Sequence, residues 1–261
     1  MADEYRSWLY AVARHPNPAV LGRLTGVAGE TPHMVESGRL TAVVGLVPAS
    51  SFGQEALHRN LEDLDWLDRV ARAHNAVVDA LARVGPTVPL RLATIYHDDV
   101  RVRLAVDEHA PEFERTLRHV TGRTEWGVKV LLDPTRLSEP APPERADAPP
   151  GAAYLRRVRN TLLARDQVAR FGAEQADRIH TALAALAVDA RRHRPQSPQL
   201  AGEDLPMILN AAYLVVDDAV REFEQAVTRH GRAHEAIQLR LTGPWPPYSF
   251  SVSFSPRQEP T

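Results

Sequence analysis

The chain contains no cysteine, so disulfides and thiolate metal sites are excluded, and the composition suits a reducing cytosol. It contains one lysine, Lys129; every other member of the Lys/Arg set is arginine. Coding bias in a GC-rich genome is the plain explanation. The functional alternative is a specific need for a compact ammonium at Lys129, which a planar guanidinium does not replace at a packed or paired site. Charge of either sign in excess is also missing: the formal net charge is −2 and the pI about 6.6. Neither nucleic acid nor an anionic membrane surface finds a basic field here. No apolar run approaches the roughly 18 residues that a membrane span needs; the longest, such as Leu40 to Val47, are strand-sized. No signal-peptide pattern opens the chain, where Arg6 and Arg14 bracket a short apolar run. A soluble protein without membrane insertion is expected.

Hydrophobic residues make up 44% of the 261 residues and charged residues 25%, the balance of an ordinary globular protein of one large or two modest domains. Residues 6–14 read as a strand. Residues 33–37 and 39–47 read as a strand pair turning at Ser37-Gly38. From Phe52 to Val84, Leu57, Leu61, Leu64, Leu67, Ala71, His74, Val78 and Leu81 recur at three- and four-residue spacing. That periodicity predicts one long helix, about 50 Å at 1.5 Å per residue, with Ser50 or Ser51 as N-cap and Gly85-Pro86 as its stop. Its acidic face, with Glu62, Asp63 and Asp65, is either simply solvated or a surface for a basic partner. Residues 88–96 read as a core strand. Asp98-Asp99 caps a short helix and Pro111 opens another, running to Gly122.

From about residue 123 the expected order is strand, helix, strand, strand, helix, strand: a split βαβ, or ferredoxin-like, domain. Its elements are a strand at 125–133, with Trp126, Val128, Val130 and Leu132 on one face and Glu125 and Lys129 on the other, and a helix at 152–191 broken near Gly172. Strands at 205–209 and 211–216 follow, then a helix capped by Asp217-Asp218 and stopped by Gly231, with Val216, Val220, Phe223 and Val227 as its core face. A last strand spans 235–242. The whole reads as a two-domain α+β protein, 1–122 and 123–261, the first domain mixed α+β with the long helix. A segment with six prolines, 134–150, interrupts the second domain as an extended spacer. The arginines 156, 157, 159, 165 and 170 make the next helix basic; a solvated face is the plain reading and phosphate binding the functional one.

Near the C-terminus, Ile237, Leu239 and Leu241 alternate with Gln238, Arg240 and Thr242, and Tyr248, Phe250, Val252 and Phe254 alternate with serines. A period of two predicts strands on both sides of Gly243-Pro244-Trp245-Pro246-Pro247. Three prolines lack N–H donors and fix φ, so this block must turn or run along a sheet edge. Trp245 is then expected as a corner post packed inside, with an exposed anchor for a partner as the alternative.

Catalytic and cofactor constellations are missing at usable spacing. His230 and His234 are four apart, but Gly231 interrupts the helical face that two ligands need, and His193 sits among arginines. His74 lies on an apolar stripe and reads as a satisfied core histidine. No Walker loop, G-x-S-x-G or H-E-x-x-H occurs. No catalytic, cofactor-binding or metal residue is therefore expected.

The block Leu241-Thr242-Gly243-Pro244-Trp245-Pro246-Pro247-Tyr248-Ser249-Phe250 resembles the C-terminal signature of the gas vesicle accessory proteins GvpF and GvpL. Other stretches resemble that family in order: Ser7-Trp8-Leu9-Tyr10-Ala11-Val12; His74-Asn75-Ala76-Val77-Val78, with Asn75 where the family usually has Glu; Val88-Pro89-Leu90-Arg91-Leu92-Ala93-Thr94; Glu125-Trp126-Gly127-Val128-Lys129-Val130; and Ala153-Tyr154-Leu155. Leu92-Ala93 replaces the family's Phe-Gly. The resemblance implies a gas vesicle or cytoplasmic accessory protein, not an enzyme. Its implied partners are the shell protein and other accessory proteins. Gly243, Pro244, Trp245, Pro246, Pro247, Tyr248, Phe250, Trp126 and Lys129 are its signature positions. The competing class is a small-molecule sensor or enzyme, since ferredoxin-like domains host many functions.

Overall fold

The structure, a computed structural model, describes residues 4–137, 150–196 and 205–251, the side chains of 150–157 excepted. It divides into two units: residues 4–125 together with 244–251, and Trp126–Gly243. The C-terminal residues 244–251 group with the first unit, not with the second. Both units are α+β with antiparallel strand pairing.

In the first unit, strands β1 (Tyr5–Ala13), β2 (His33–Ser37), β3 (Leu40–Pro48) and β4 (Thr87–Pro89) lie in the order β2-β3-β1-β4, and β5 (Ile95–Tyr96) also pairs with β1. β1 is buried from Ser7 to Ala13 without interruption, because helices cover both faces of the sheet. On one face, Leu9, Ala42 and Val44 pack against Val102, Val106, Phe113 and Leu117 of α5 (Asp99–Glu108) and α6 (Ala110–Val120). On the other, Trp8, Tyr10, Val43 and Val47 pack against Val70, Val77, Val78 and Leu81. A β-bulge between Leu9 and Ala11 shifts the alternation, so Val12 joins the Leu9 face although three residues separate them. The turn at Ser37-Gly38 forms as expected, with Gly38 at φ 59°.

The single long helix predicted over 52–84 is instead three pieces after the short α1 (Pro18–Leu21): α2 (Ala49–Phe52), α3 (Gln54–Asn60) and α4 (Leu64–Ala82). Gly53 is extended (ψ 163°) and separates the first two. Asp63, also extended, caps α4 by accepting from the N–H groups of Asp65 and Trp66. Local capping chemistry thus outweighs an apolar period that continues across the break, and α4 spans only about 28 Å. The caps foreseen at Ser50 or Ser51 are not used: Pro48 precedes α2 and no side chain caps it. The core strand expected at 88–96 is likewise split, into β4 and β5, by a turn in which Ala93 takes φ 64°. Asp98 caps α5 through the Arg101 N–H, and Pro111 lies in the first turn of α6, both as expected.

In the second unit, β6 (Arg123–Leu132), β7 (Asp189–His193), β8 (Met207–Val216) and β9 (Ile237–Trp245) form a sheet in the order β7-β8-β6-β9. Helices α7 (Pro150–Ala184) and α8 (Val220–Arg232) pack on one face, where Ile179, Leu183, Phe223 and Val227 meet Val128, Val130, Tyr213 and Val215. The expected break in α7 does not occur. A Cβ on Gly172 would stand 3.2 Å from Ile208 Cγ2 and 3.3 Å from Leu132 Cδ2, so glycine there brings the helix close to the sheet. Residues 189–191, expected as the end of the helix, belong to β7, paired with β8 from Asp189↔Leu214 to His193↔Asn210: strand pairing overrides local helix preference. The two strands predicted at 205–209 and 211–216 are one, β8. Asp217 and Asp218 lie in a 3-10 turn ahead of α8, whose N-cap position is Ala219 and whose buried face is Phe223, Ala226 and Val227, with Val216 exposed. Gly231 does not stop α8, which runs to Arg232. Of the proline-rich segment, Pro134–Arg136 is a 3-10 turn and Pro150 opens α7; residues 138–149 lie outside the described residues. Among the described residues no helix is long and apolar enough to cross a membrane.

Ala93 generates the first prediction. A left-handed φ costs an L-residue about 1–2 kcal/mol, and a β-branched side chain suffers most. Ala93→Gly is expected to hold or raise the melting temperature, and Ala93→Val to lower stability by about 1–3 kcal/mol, both read by thermal unfolding.

Candidate functional site

Parts of several stretches that carry the family resemblance converge on one place in the first unit. Trp8 of β1 donates its indole N–H to His74 Nδ1 of α4 at 3.0 Å, and His74 Nε2 lies 3.1 Å from the Leu90 carbonyl. Only one neutral tautomer fits: Nδ1 accepts and Nε2–H donates. His74 is 1% exposed, and burial pushes its pKa down to about 4, against the opposing pull of the Leu90 carbonyl. The expectation of a satisfied core histidine holds.

The C-terminal signature closes over this centre. The Tyr248 ring centroid stands 6.5 Å from that of His74, and its hydroxyl donates to Asn75 Oδ1 at 2.9 Å. A carboxylate in place of Asn75, the family's usual residue, would accept the same bond. Burial raises the Tyr248 pKa, with the carboxylates of Asp79 and Glu125 adding to the shift, so the phenol stays protonated. Ser249 donates twice to Glu125, from its N–H to Oε2 (2.8 Å) and from its hydroxyl to Oε1 (2.6 Å). Glu125, placed by the sequence pattern on the face opposite Trp126, is 7% exposed. Its partner lies 124 residues away, and no local pattern announces the pairing. Pro246 and Pro247 are buried, and Phe250 is 3% exposed. The strand predicted from 248 onward is not formed: Tyr248–Phe250 is a 3-10 turn, since its side chains are anchored to α4 and Glu125 instead of a sheet, and Val252 and Phe254 lie outside the described residues.

Upstream of this clasp the signature faces water. Gly243 and Pro244 are exposed, and Trp245 is 50% exposed. The corner-post expectation for Trp245 is therefore wrong. The expectation of an edge holds: β9 is the outer strand of its sheet, where Pro244 costs no ladder bond, and Gly243 takes φ 129°. Trp126 is 8% exposed within the core of the second unit, its indole N–H buried without a partner. Lys129 reaches Gln196 Oε1 at 3.3 Å. Neither joins the clasp. Glu62, Asp63 and Asp65 are exposed as predicted, but in the break between α3 and α4 and the first turn of α4, not along a helix face.

Clusters with catalytic residue types have the wrong wiring. Ser7 donates to Asp99 Oδ1 (2.6 Å) while His33 Nε2 sits 2.8 Å from Asp99 Oδ2, so the carboxylate separates serine from histidine. A nucleophilic triad needs histidine between them; here Asp99 ties β1 and β2 to α5. Tyr10 likewise donates to Glu30 Oε1 at 2.5 Å and accepts from the Val27 N–H, a bond pair that holds the loop after α1. His234 accepts from the Ala236 N–H and packs on Phe171. Among the described residues no group of three or more His, Asp or Glu side chains is disposed to hold a metal.

This arrangement of two antiparallel α+β units has solved counterparts. The structure superposes on the gas vesicle protein GvpF of Anabaena sp. PCC7120 with a TM-score of 0.70 at 17% identity, covering 98% of this chain and 99% of that one. It also superposes on GvpF of Microcystis aeruginosa with a TM-score of 0.64 at 18% identity. In sequence, gas vesicle protein L of Streptomyces sp. (strain CB03234) is 38% identical over 253 residues, 96% of this chain and 94% of the relative. Gas vesicle protein F of the same strain is 27% identical, over 94% and 98%. The sequence model described as gas vesicle synthesis protein GvpL/GvpF matches residues 6–252, and the chain belongs to that family.

Two outcomes follow from the site. An unfolded His74 binds a proton near pH 6.5, whereas the folded one does so only near pH 4. Stability is therefore full above about pH 6.5 and falls by up to about 1.4 kcal/mol per pH unit toward pH 4. Denaturant melts across this window should show that slope, and His74→Gln should flatten it. In the acidic corner, Asp63→Ala should cost about 1 kcal/mol as a lost cap, and Glu62→Ala less than about 0.5 kcal/mol, by the same melts.

Proposed function

We propose that the protein is an accessory or minor structural component of gas vesicles that works by binding: it engages shell subunits, alongside other accessory proteins, and supports assembly without catalysing a reaction. The observation that carries this reading is Trp245, half exposed on the edge strand β9 between the exposed Gly243-Pro244 and the buried Pro246-Pro247. A shell subunit that separates gas from water must carry apolar surface, which aggregates before it is built in. Tryptophan is the side chain most enriched where such surface is gripped. Two buried prolines fix the chain beyond it, so the indole is presented with little ordering cost. Membership of the GvpL/GvpF family supports the same context, gas vesicles within the cytoplasm.

The scaffold fits this role in the same reading. The two units are taken as two domains, the second ferredoxin-like: its strand order β7-β8-β6-β9, with α7 and α8 on one face, is the order a split βαβ domain takes. Trp126 and Lys129 then serve the interior and the back of that sheet, and Tyr248 and Phe250 serve the clasp, leaving Gly243, Pro244 and Trp245 as the partner-facing part of the signature.

Trp245→Ala is expected to melt within about a degree of the parent, since surface changes stay near 0.5 kcal/mol, and to lose retention of the co-expressed major shell protein in a pull-down. Undiminished retention would overturn the assignment of Trp245 as the anchor.

A further inference from the structure

Helix α7 is about 52 Å long by its 35 residues, and of its residues from Val158 on, those that meet the core begin at Val168. Val168, Phe171, Ala176, Ile179 and Leu183 pack against the sheet. One and two turns earlier the same line carries Thr161 and Arg165, and every residue from Val158 to Gln167 is exposed. On that bare segment Val158 is 40% exposed, Leu162 54% and Leu163 51%. Val158 and Leu162 are one turn apart and line up; Leu163 follows Arg159 in the adjoining row. Arg159, Arg165 and Arg170 outweigh Asp166, so the face is apolar with a cationic border.

The first unit bears the complement. Leu61-Glu62-Asp63-Leu64-Asp65, at the break between α3 and α4, is exposed throughout. Leu61 is 38% and Leu64 77% exposed, flanked by three carboxylates with no cation among the five. Asp63 is committed to its cap, which holds the corner rigid while leaving Glu62 and Asp65 directed at solvent.

We propose that the chain self-associates, the bare 158–167 segment of α7 on one copy lying on the 61–65 corner of another. Each surface offers what the other lacks: leucines to cover leucines, and arginines to border carboxylates. Like-charge opposition disfavours either surface meeting itself, so each contact pairs the helix of one copy with the corner of another. This inference is independent of the gas vesicle reading, because it needs only a second copy.

Sedimentation of the purified full chain tests it, with the major shell protein absent. Mass should grow with concentration and shrink with added salt, since the border is charged. Arg159→Glu/Arg165→Glu, which reverses the helix, and Glu62→Arg/Asp65→Arg, which reverses the corner, should each weaken association at least tenfold. Mixing the two variants should restore it, because each then meets an opposite charge. Leu64→Ser, at an exposed position whose replacement spares the fold, should weaken it similarly at unchanged melting temperature. A monomer at every concentration, association indifferent to all three variants, or a mixture that stays dissociated would each overturn the proposal.

Discussion

The first unit depends on one buried histidine being neutral and in one tautomer. His74 joins three segments at once: the indole of Trp8 from β1, the carbonyl of Leu90 after β4, and its own helix α4. With 1% of its surface exposed, a charged ring would be stranded away from water, and a second proton on Nδ1 would oppose the indole N–H. The aromatic packing follows from it. Trp8 stands edge-on to both His74 and Phe52, Tyr10 lies 5.4 Å from the imidazole, and Tyr248 caps the group. Removing the ring would leave two donors or acceptors unmatched in the same small volume, a heavier loss than the hydrogen bonds alone.

From that centre the signature block divides by chemistry. The half that touches the clasp is made of groups that satisfy one another: a phenol on an amide, a serine on a buried carboxylate. The half before it carries one large apolar side chain that nothing in the first or second core takes up. A proline-rich run suits both halves, because fixed φ values keep the anchored residues in register while the tryptophan is held clear of them.

Much of this was legible in the chain. The strands around Ser37-Gly38, the capping of α5, the alternation in β9, its edge position and the role of His74 follow from periodicity and from proline and glycine chemistry. The misses have two causes: local caps that cut an apolar period, and contacts distant in sequence that outweigh local pattern. Apolar period ran on through 52–84, but a glycine and an aspartate cap cut the helix there. Asp189–Arg191 looks helical until β8 supplies backbone partners. Trp245 was misplaced because an inward-facing period after it was extrapolated through residues that form a turn. The burial of Glu125 was not legible because Ser249, which donates to it twice, lies far away in sequence. Pattern reports which face a strand buries; it does not report which far segment arrives to cover the other.

The tail that covers Glu125 also imposes an order in time. Residues 246–251 are synthesised after all of Trp126–Gly243, yet they complete the unit whose first strand begins at Tyr5. On the ribosome, the second unit has its whole sequence available before the first does, reversing the usual N-terminal-first sequence of domain folding. A nascent or truncated chain lacking Tyr248 and Ser249 holds a carboxylate deprived of two donors and an uncovered aromatic group. Such a chain exposes what the later segment covers, so residues 246–251 act as a latch that the first unit receives only after the second has been made.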